Sequence, residues 1–497
     1  MSQPPLFVMW FRRDLRLSDN RAFSEALRAA EAARGRVIPL FVFDRDILDK
    51  LHDRDDRRVK LIWQSVRGMD QALRVLNSGM LVLHAPATLA VPRLLRELAP
   101  RGLAAVYTNH DYEPRRLQRD DIVERTCSEL GVEFCSCKDH VIFEKNEVLT
   151  NAGGPFTVYS PYARQWYRRL EACGKAELAA LPTVERFAEQ LAPRESLPAS
   201  DAWDSLATLG FEDAGAMDWH GGELAAQQAW SAFKGRIADY ARDRDTPGVG
   251  GVSRLSPYLR FGTLSVRQLV REGLELPGRG PGKWVDEIVW REFYNAVLHF
   301  FPQSEYRAFK PKFEAVAWDD PRTDDRAALR LEAWRQGRTG YPIVDAAMRE
   351  LNTTGYMHNR CRMIVASFLT KDLHIHWKWG ERYFARKLLD YDLSQNVGGW
   401  QWAASTGADG QPYFRIFSPI LQGERHDPDG RYVRAYCPEL ADVPDRYLHR
   451  PWDHSERGLL DSGAYPEPIV DHGVEREEAL RRFKMVDPLE GVSTVDR

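Results

Sequence analysis

Cysteine is scarce and poorly arranged for cross-linking or metal binding. Six occur in 497 residues, with no C-x-x-C and only Cys135 and Cys137 close together, which argues against a disulfide framework or a zinc site and fits a reducing, cytoplasmic setting. Long apolar runs are also missing. The opening MSQPPLFVMWFRRDLRL has only about six apolar residues before its arginines, and nothing later approaches the ~20 needed to cross a bilayer, so neither a membrane segment nor export is expected. Neither sign of charge dominates. Lysine plus arginine total 69 against 72 acids, a net charge of -3, so nucleic-acid binding would need a local basic patch. No G-x-S-x-G, H-E-x-x-H or P-loop occurs, which leaves a hydrolytic nucleophile, a zinc protease and a nucleoside-triphosphate site without support. What the chain does have is 43% hydrophobic and 28% charged residues, enough for substantial cores, and fifteen tryptophans. At this length two or three domains are expected.

The first 140 residues alternate. Apolar runs at Leu6 to Phe11, Val37 to Phe43, Met80 to His84, Ala104 to Asn109 and Val132 to Cys135 read as buried strands. Between them lie helical stretches such as Arg57 to Leu76, with apolar residues three and four apart. This predicts an α/β domain with a parallel sheet over 1–140. Its first strand runs into RRDLRLSDN, not the G-x-G-x-x-G turn that seats a pyrophosphate, so the main nucleotide site is expected elsewhere. Residues 141–225, with AGGPF, Pro182, Pro193 and Pro198, read as a connector. Residues 226–497 read as a larger all-α domain, with helices over Gly282 to Phe300, Arg326 to Gln336, Ile343 to Asn352, Arg360 to Leu373 and Glu381 to Leu389.

Three clusters carry chemistry. In KWVDEIVWREFYNAVLHFF, Glu287, Trp290, Arg291 and Tyr294 stand at i, i+3, i+4 and i+7, so one helix face holds an acid, an indole, a guanidinium and a phenol. In MHNRCRMIVASFLTKDL, Asn359 and Met363 share a face and Arg362 looks elsewhere. His358 has no partner in metal-ligand register and reads as structural, while Arg360 suits either solvent or a phosphate. In LLDYDLSQNVGGWQWAAS, Asp390 and Asp392 precede Asn396, paired glycines and Trp400 and Trp402. The glycines are expected to admit a close ligand approach, and Asp390 to pair with a buried arginine rather than a metal, which would need more oxygen ligands. The result is a planar, aromatic, hydrogen-bonding site suited to a flavin or a base.

Taken in order, WFRRDLRLSDN, WREFY, TGYPIVDAAMRELNTTGYMHNRCRM, GGWQWAAS and PYFRIF give the chain a nearly end-to-end resemblance to the photolyase/cryptochrome family, most of all to bacterial class I cyclobutane pyrimidine dimer photolyases. The resemblance implies FAD, active when reduced, in the helical domain. Tyr240 and Ser253, Arg254, Leu255 and Ser256 would hold its diphosphate. Trp284, Arg291, Asn359 and Arg362 would line the flavin or adenine, Asp390 would pair with Arg362, Asp392 would face the polar edge of the ring, and Asn396 would sit opposite N5. The implied partner is damaged DNA, bound by a monomer. Trp290 and Trp402 would wedge against a flipped dimer, Glu287 and Asn359 would bond its pyrimidine edges, Met363 would pack beside it and Arg360 would meet the backbone.

The resemblance also implies light-driven repair rather than photosensing, because the tail after Pro468 is short. It disfavours (6-4) photoproduct repair, because a histidine pair is lacking at Asn359 and Met363. Trp400 and Trp377 match the inner stations of the family's tryptophan relay, but the outermost position aligns with Asp324. Either another aromatic such as Trp318 or Trp379 substitutes, or photoreduction is impaired. Val252 stands where a phosphate-holding hydroxyl is common. For an antenna chromophore, Arg115 and Arg116 replace the amide and acid of folate users, so deazaflavin or flavin near Asp111 is expected ahead of folate, or an empty site.

Overall fold

The computed structural model describes residues 4–454 and 465–487, with the side chains of Arg115 and Lys175 outside the description. The end of the tail, 488–497, therefore lies outside the described residues. Five strands, β1 (Leu6–Phe11), β2 (Arg36–Val42), β3 (Leu81–Leu83), β4 (Leu103–Asn109) and β5 (Glu133–Cys137), form one wholly parallel sheet in the order β3-β2-β1-β4-β5. The pleat sends alternate residues to opposite faces. Val8 and Trp10 meet α3 (Ala87–Leu98) and α4 (Pro114–Leu130) in one core. Phe11 meets Phe23 of α1 (Arg21–Ala33), ring centroids 5.2 Å apart, on the other. With both faces covered, the strands read as unbroken apolar runs. Helix α2 spans Arg57–Val75, as its periodicity predicts.

Contacts divide the chain into two compact units: one of residues 1–155, 160–238 and 253–299, the other of 156–159, 239–252 and 300–497. Residues 253–299, read from sequence with the helical domain, thus group with the α/β layer, as does most of the stretch read as a connector. Composition marks where secondary-structure type changes, whereas units follow contacts. Among the described residues no helix is long and apolar enough to cross a membrane.

The second unit is built from α6 (Asp325–Gln336), α7 (Pro342–Thr354), α8 (Asn359–Ser367), α9 (Trp377–Lys387), α10 (Leu393–Ala403) and α11 (His472–Val486). TGYPIVD shows how local sequence sets this frame. The buried Asp345 carboxylate accepts from Thr339 N and Oγ1, Gly340 N and the Tyr465 hydroxyl, and Pro342 begins α7 where its missing N–H costs nothing. Gly340 has φ +82°, and a Cβ there would strike the Glu467 backbone. The helix expected to run to Leu373 instead turns from α to π over Phe368–Asp372.

Candidate functional site

Three capped helix starts organise the second unit. His358 opens α8 by accepting from Arg360 N at 3.1 Å, and His376 opens α9 by accepting from Lys378 N at 3.1 Å. Burial pushes both imidazoles down to about 4, so each is a neutral acceptor, and His358 has the structural role read from sequence. Asp392 opens α10. Its carboxylate accepts from Ser394 N and Oγ and from Gln395 N, so the acid expected to face a flavin edge has one oxygen engaged as a cap.

Just before α10, Asp390 meets Arg362 at 2.8 Å, and Arg362 also donates to the Met357 carbonyl at 2.8 Å. Burial opposes the Arg362 cation, but Asp390 more than offsets it and the guanidinium pKa stands above its usual value. One turn into α10, Asn396 Nδ2 donates to both the backbone oxygen and Oε1 of Glu381 at 3.0 Å. That fixes the amide, and no protein donor among the described residues bonds its Oδ1. Glu381 was not singled out from sequence; its spacing of three from Lys378, which it pairs with at 3.3 Å, looks like an ordinary helix ion pair.

Trp400 is buried against Phe384 (centroids 5.0 Å apart) and Trp334 (6.0 Å). Among the described residues, its Nε1 and the Asp390 Oδ1 are buried without a hydrogen-bond partner. Buried polar groups are rarely left so, and these lie on the segment that also carries Asn396. The donor set fits a flavin: a fixed amide, an arginine–carboxylate pair and polar atoms awaiting partners. The paired glycines, expected to admit a close ligand approach, stand in a helix rather than a loop. Both lie inside α10, and beyond the helix's own backbone and the adjoining residues nothing among the described residues comes within 4 Å of a Cβ built at Gly399.

Asn359 is exposed, with Nδ2 3.9 Å from Met363 Sδ, so the two share a face as their spacing predicts. Arg360 is not simply solvated. It pairs with Asp245 at 2.8 Å; burial raises that carboxyl, but the arginine outweighs it and the net pKa is lowered. Trp402 is half-buried, and Tyr240 is buried beneath the Arg244 guanidinium.

In the first unit, α5 (Arg279–Phe300) keeps Glu287, Trp290, Arg291 and Tyr294 half-buried while Val285, Ile288 and Val289 are buried, so the mixed face is real. Trp290 leans on Phe293 and Tyr294, each at 5.7 Å, and Arg291 donates to the His140 carbonyl at 2.5 Å. Trp284 is buried and stacked on Trp230 at 4.9 Å. Glu292, next to this face, is fully buried, accepts from Ile142 N, Phe143 N and Trp166 Nε1, and is pushed up to about 7 by burial. Sequence gave no sign of it. In the Ser253–Ser256 segment Arg254 has φ +54°. Its side chain meets Asp218 at 2.7 Å and lies over Trp219, so what this segment can offer an anion is mainly backbone and hydroxyl groups.

Trp377, buried at the start of α9, stacks on His376 at 5.4 Å, and His376 meets the half-buried Trp318 edge-on at 5.4 Å. Asp324, aligned from sequence with an outer relay station, is the N-cap of α6 and accepts from Arg326 N and Ala327 N.

Residues 284–485 match the family model described as the FAD binding domain of DNA photolyase, and residues 7–185 match the DNA photolyase model. A deoxyribodipyrimidine photo-lyase of Vibrio cholerae is 37% identical over 490 residues, covering 96% of this chain and 99% of its own. The chain belongs to the DNA photolyase family. Among solved structures, a class III photolyase from Agrobacterium tumefaciens superposes with a TM-score of 0.85 at 33% identity, covering 98% of this chain and 99% of its own. An archaeal photolyase from Sulfolobus tokodaii with two FAD molecules gives 0.78 at 30%, covering 97% and 100%. The fold class expected from sequence, a parallel α/β layer followed by helices, and FAD as the cofactor of the family's helical domain agree with these matches.

Proposed function

We propose that this protein repairs cyclobutane pyrimidine dimers in DNA by light-driven electron transfer. The observation that carries the reading is the Asn396 amide, anchored through Nδ2 by Glu381, beside the Arg362–Asp390 pair. When bound in reduced form, FAD supplies, on absorbing blue light, the electron that opens the cyclobutane ring and takes it back afterwards. The chain's own task is to hold and orient. Anchored in this way, Asn396 offers Oδ1 as an acceptor for the N5–H of a reduced flavin, and it brings no charge of its own. Arg362 supplies the nearby cation that favours an anionic ring, with Asp390 fixing its position. Tyr240, Ser253, Arg254, Leu255 and Ser256 hold the diphosphate, and Trp284, Arg291 and Asn359 line the rings.

No side chain acts as a nucleophile. The lesion must leave the duplex, at a cost of a few kcal/mol that is lower where damage weakens stacking. Trp290 and Trp402 offset that cost, since base–aromatic stacking is worth about 1–3 kcal/mol per base. Glu287, Asn359 and Met363 receive the dimer, and Arg360, already on the surface with Asp245, approaches the backbone. Trp400 and Trp377 refill the flavin with electrons, and the ring contacts at His376 favour Trp318 as the aromatic that supplies the outer station in place of the indole missing at Asp324. For an antenna, a deazaflavin or flavin is preferred to folate, because Arg116, paired with Glu113 at 2.8 Å, is a cation where folate users carry an acid.

The test is thymine-dimer content in DNA incubated with the reduced holoprotein, in blue light and in the dark, with a (6-4) substrate alongside. Loss of dimers only in light supports the reading. Equal dimer levels in light and dark reject it, and light-dependent flavin reduction without repair would point to photosensing.

A further inference from the structure

Resting on the relay reading above, we infer that His376 is the bridge through which an oxidised Trp377 is refilled by Trp318. The imidazole lies between the two indoles, stacked on Trp377 with planes 29° apart and meeting Trp318 at 76°, both at 5.4 Å between centroids. Among the described residues no ring contact joins the two indoles directly. The histidine is also held still. Its Nδ1 accepts from Lys378 N, which caps α9, fixes the ring plane and leaves the proton on Nε2.

Neutrality matters for a bridge, because a cation between the indoles would repel the positive charge that must pass. Burial keeps the ring uncharged at neutral pH, with its pKa near 4; Glu314 favours the proton, and Lys378 and Arg382 oppose it. Direction is set by a second asymmetry. The Lys378 ammonium stands 4.7 Å over Trp377, already using the electron density a radical cation there would need. Glu381, 3.3 Å from that ammonium, moderates the effect without removing it. Trp318 is half-buried, so water can stabilise a charge there, and among the described residues no cation stands over its ring.

The step moves one electron from the Trp318 indole to the oxidised Trp377 indole. Trp377 returns to its closed-shell form and Trp318 is left as a radical cation. Its ring N–H proton then passes to water, and an external thiol donates the hydrogen atom that restores it, becoming a thiyl radical.

The experiment is transient absorption of tryptophan radicals in the oxidised holoprotein with excess thiol, alongside flavin content and melting temperature. H376N keeps the cap and removes the ring. It is expected to shorten the radical lifetime several-fold and lower the yield of flavin photoreduction, with flavin content unchanged. H376F keeps a ring and loses the cap, and is expected to retain most of the yield. Wild-type radical lifetime in H376N, or an equal loss in H376F, would overturn the bridge. If W400F and W377F also leave photoreduction intact, it is the relay reading itself that fails.

Discussion

The six-membered edge of the Trp400 indole lies directly against the backbone of Gly380, so that a Cβ at residue 380 would overlap the Cη2, Cζ3 and Cζ2 carbons of that ring. Neither partner can yield cheaply. Trp400 is also held by Phe384 and Trp334, and Gly380 lies within α9. G380A should therefore cost about 1–3 kcal/mol through overpacking and turn the indole away from its present position. Thermal unfolding will show the loss of stability. Flavin photoreduction should slow in the same variant, whereas an alanine at Gly399, where the Cβ position is open to the protein, should leave stability nearly unchanged.

Asp390 and Arg362 make the second testable pair. The carboxylate side chain is 3% exposed and the guanidinium 25%, so D390A leaves a largely buried cation without its partner. Breaking a buried pair typically costs 3–5 kcal/mol, and with a quarter of the arginine open to water about 3 kcal/mol is expected. Chemical denaturation measures this. Flavin retained after gel filtration should fall in parallel, because the same arginine is assigned to the flavin.

Much of this frame could be read from sequence because short-range patterns determine it. The strands at Leu6–Phe11 and Leu103–Asn109 are apolar runs, and the mixed face of α5 follows from spacing alone. That Asp390 pairs with an arginine was expected from the residues, and that the arginine is Arg362 was implied by the family resemblance. What escaped depends on contacts distant in sequence. Glu381 reaches Asn396 across fifteen positions, and His376 meets Trp318 from a distant part of the chain, beside the parallel Asp319–Ile375 bridge, which no periodicity reports. The paired glycines stand inside a helix because the capping acid at 392 and the apolar positions that follow keep the segment helical.

Asp324 and Trp318 separate two accounts of the outer relay. D324A removes a helix cap and should cost about 0.5–2 kcal/mol without affecting photoreduction. W318F should suppress the long-lived tryptophan radical while leaving flavin content unchanged. Steady illumination with excess thiol, followed by the flavin absorbance, distinguishes them; wild-type photoreduction in W318F would remove Trp318 from the relay.

Trp290 tests the lesion surface. It is half-buried on the mixed face of α5 and leans on Phe293 and Tyr294, so truncation leaves the helix supported from its buried side. W290A should weaken binding of dimer-containing DNA by about 1–3 kcal/mol, the worth of one base–aromatic stack, while FAD content stays unchanged. Binding titrations and flavin absorbance measure the two separately. Loss of FAD instead of DNA affinity would place that indole against the cofactor.

His358 and His376 predict how the fold responds to acid. Both accept a backbone N–H through Nδ1, and burial holds both near 4 when folded, against 6.5 for a free imidazole. The unfolded chain therefore binds protons that the folded chain refuses. Stability should be unaffected by these groups above about pH 6.5, fall as pH drops from there toward 4, and level off below. At pH 5 each histidine has bound its proton in the unfolded state and not in the folded one, which costs about 2 kcal/mol at 1.36 kcal/mol per pH unit. H358N keeps a capping oxygen without the titration. Its denaturant midpoint should fall less than that of the wild type between pH 7.5 and 5, and an equal fall in the two proteins would mean that His358 is already protonated in the native state.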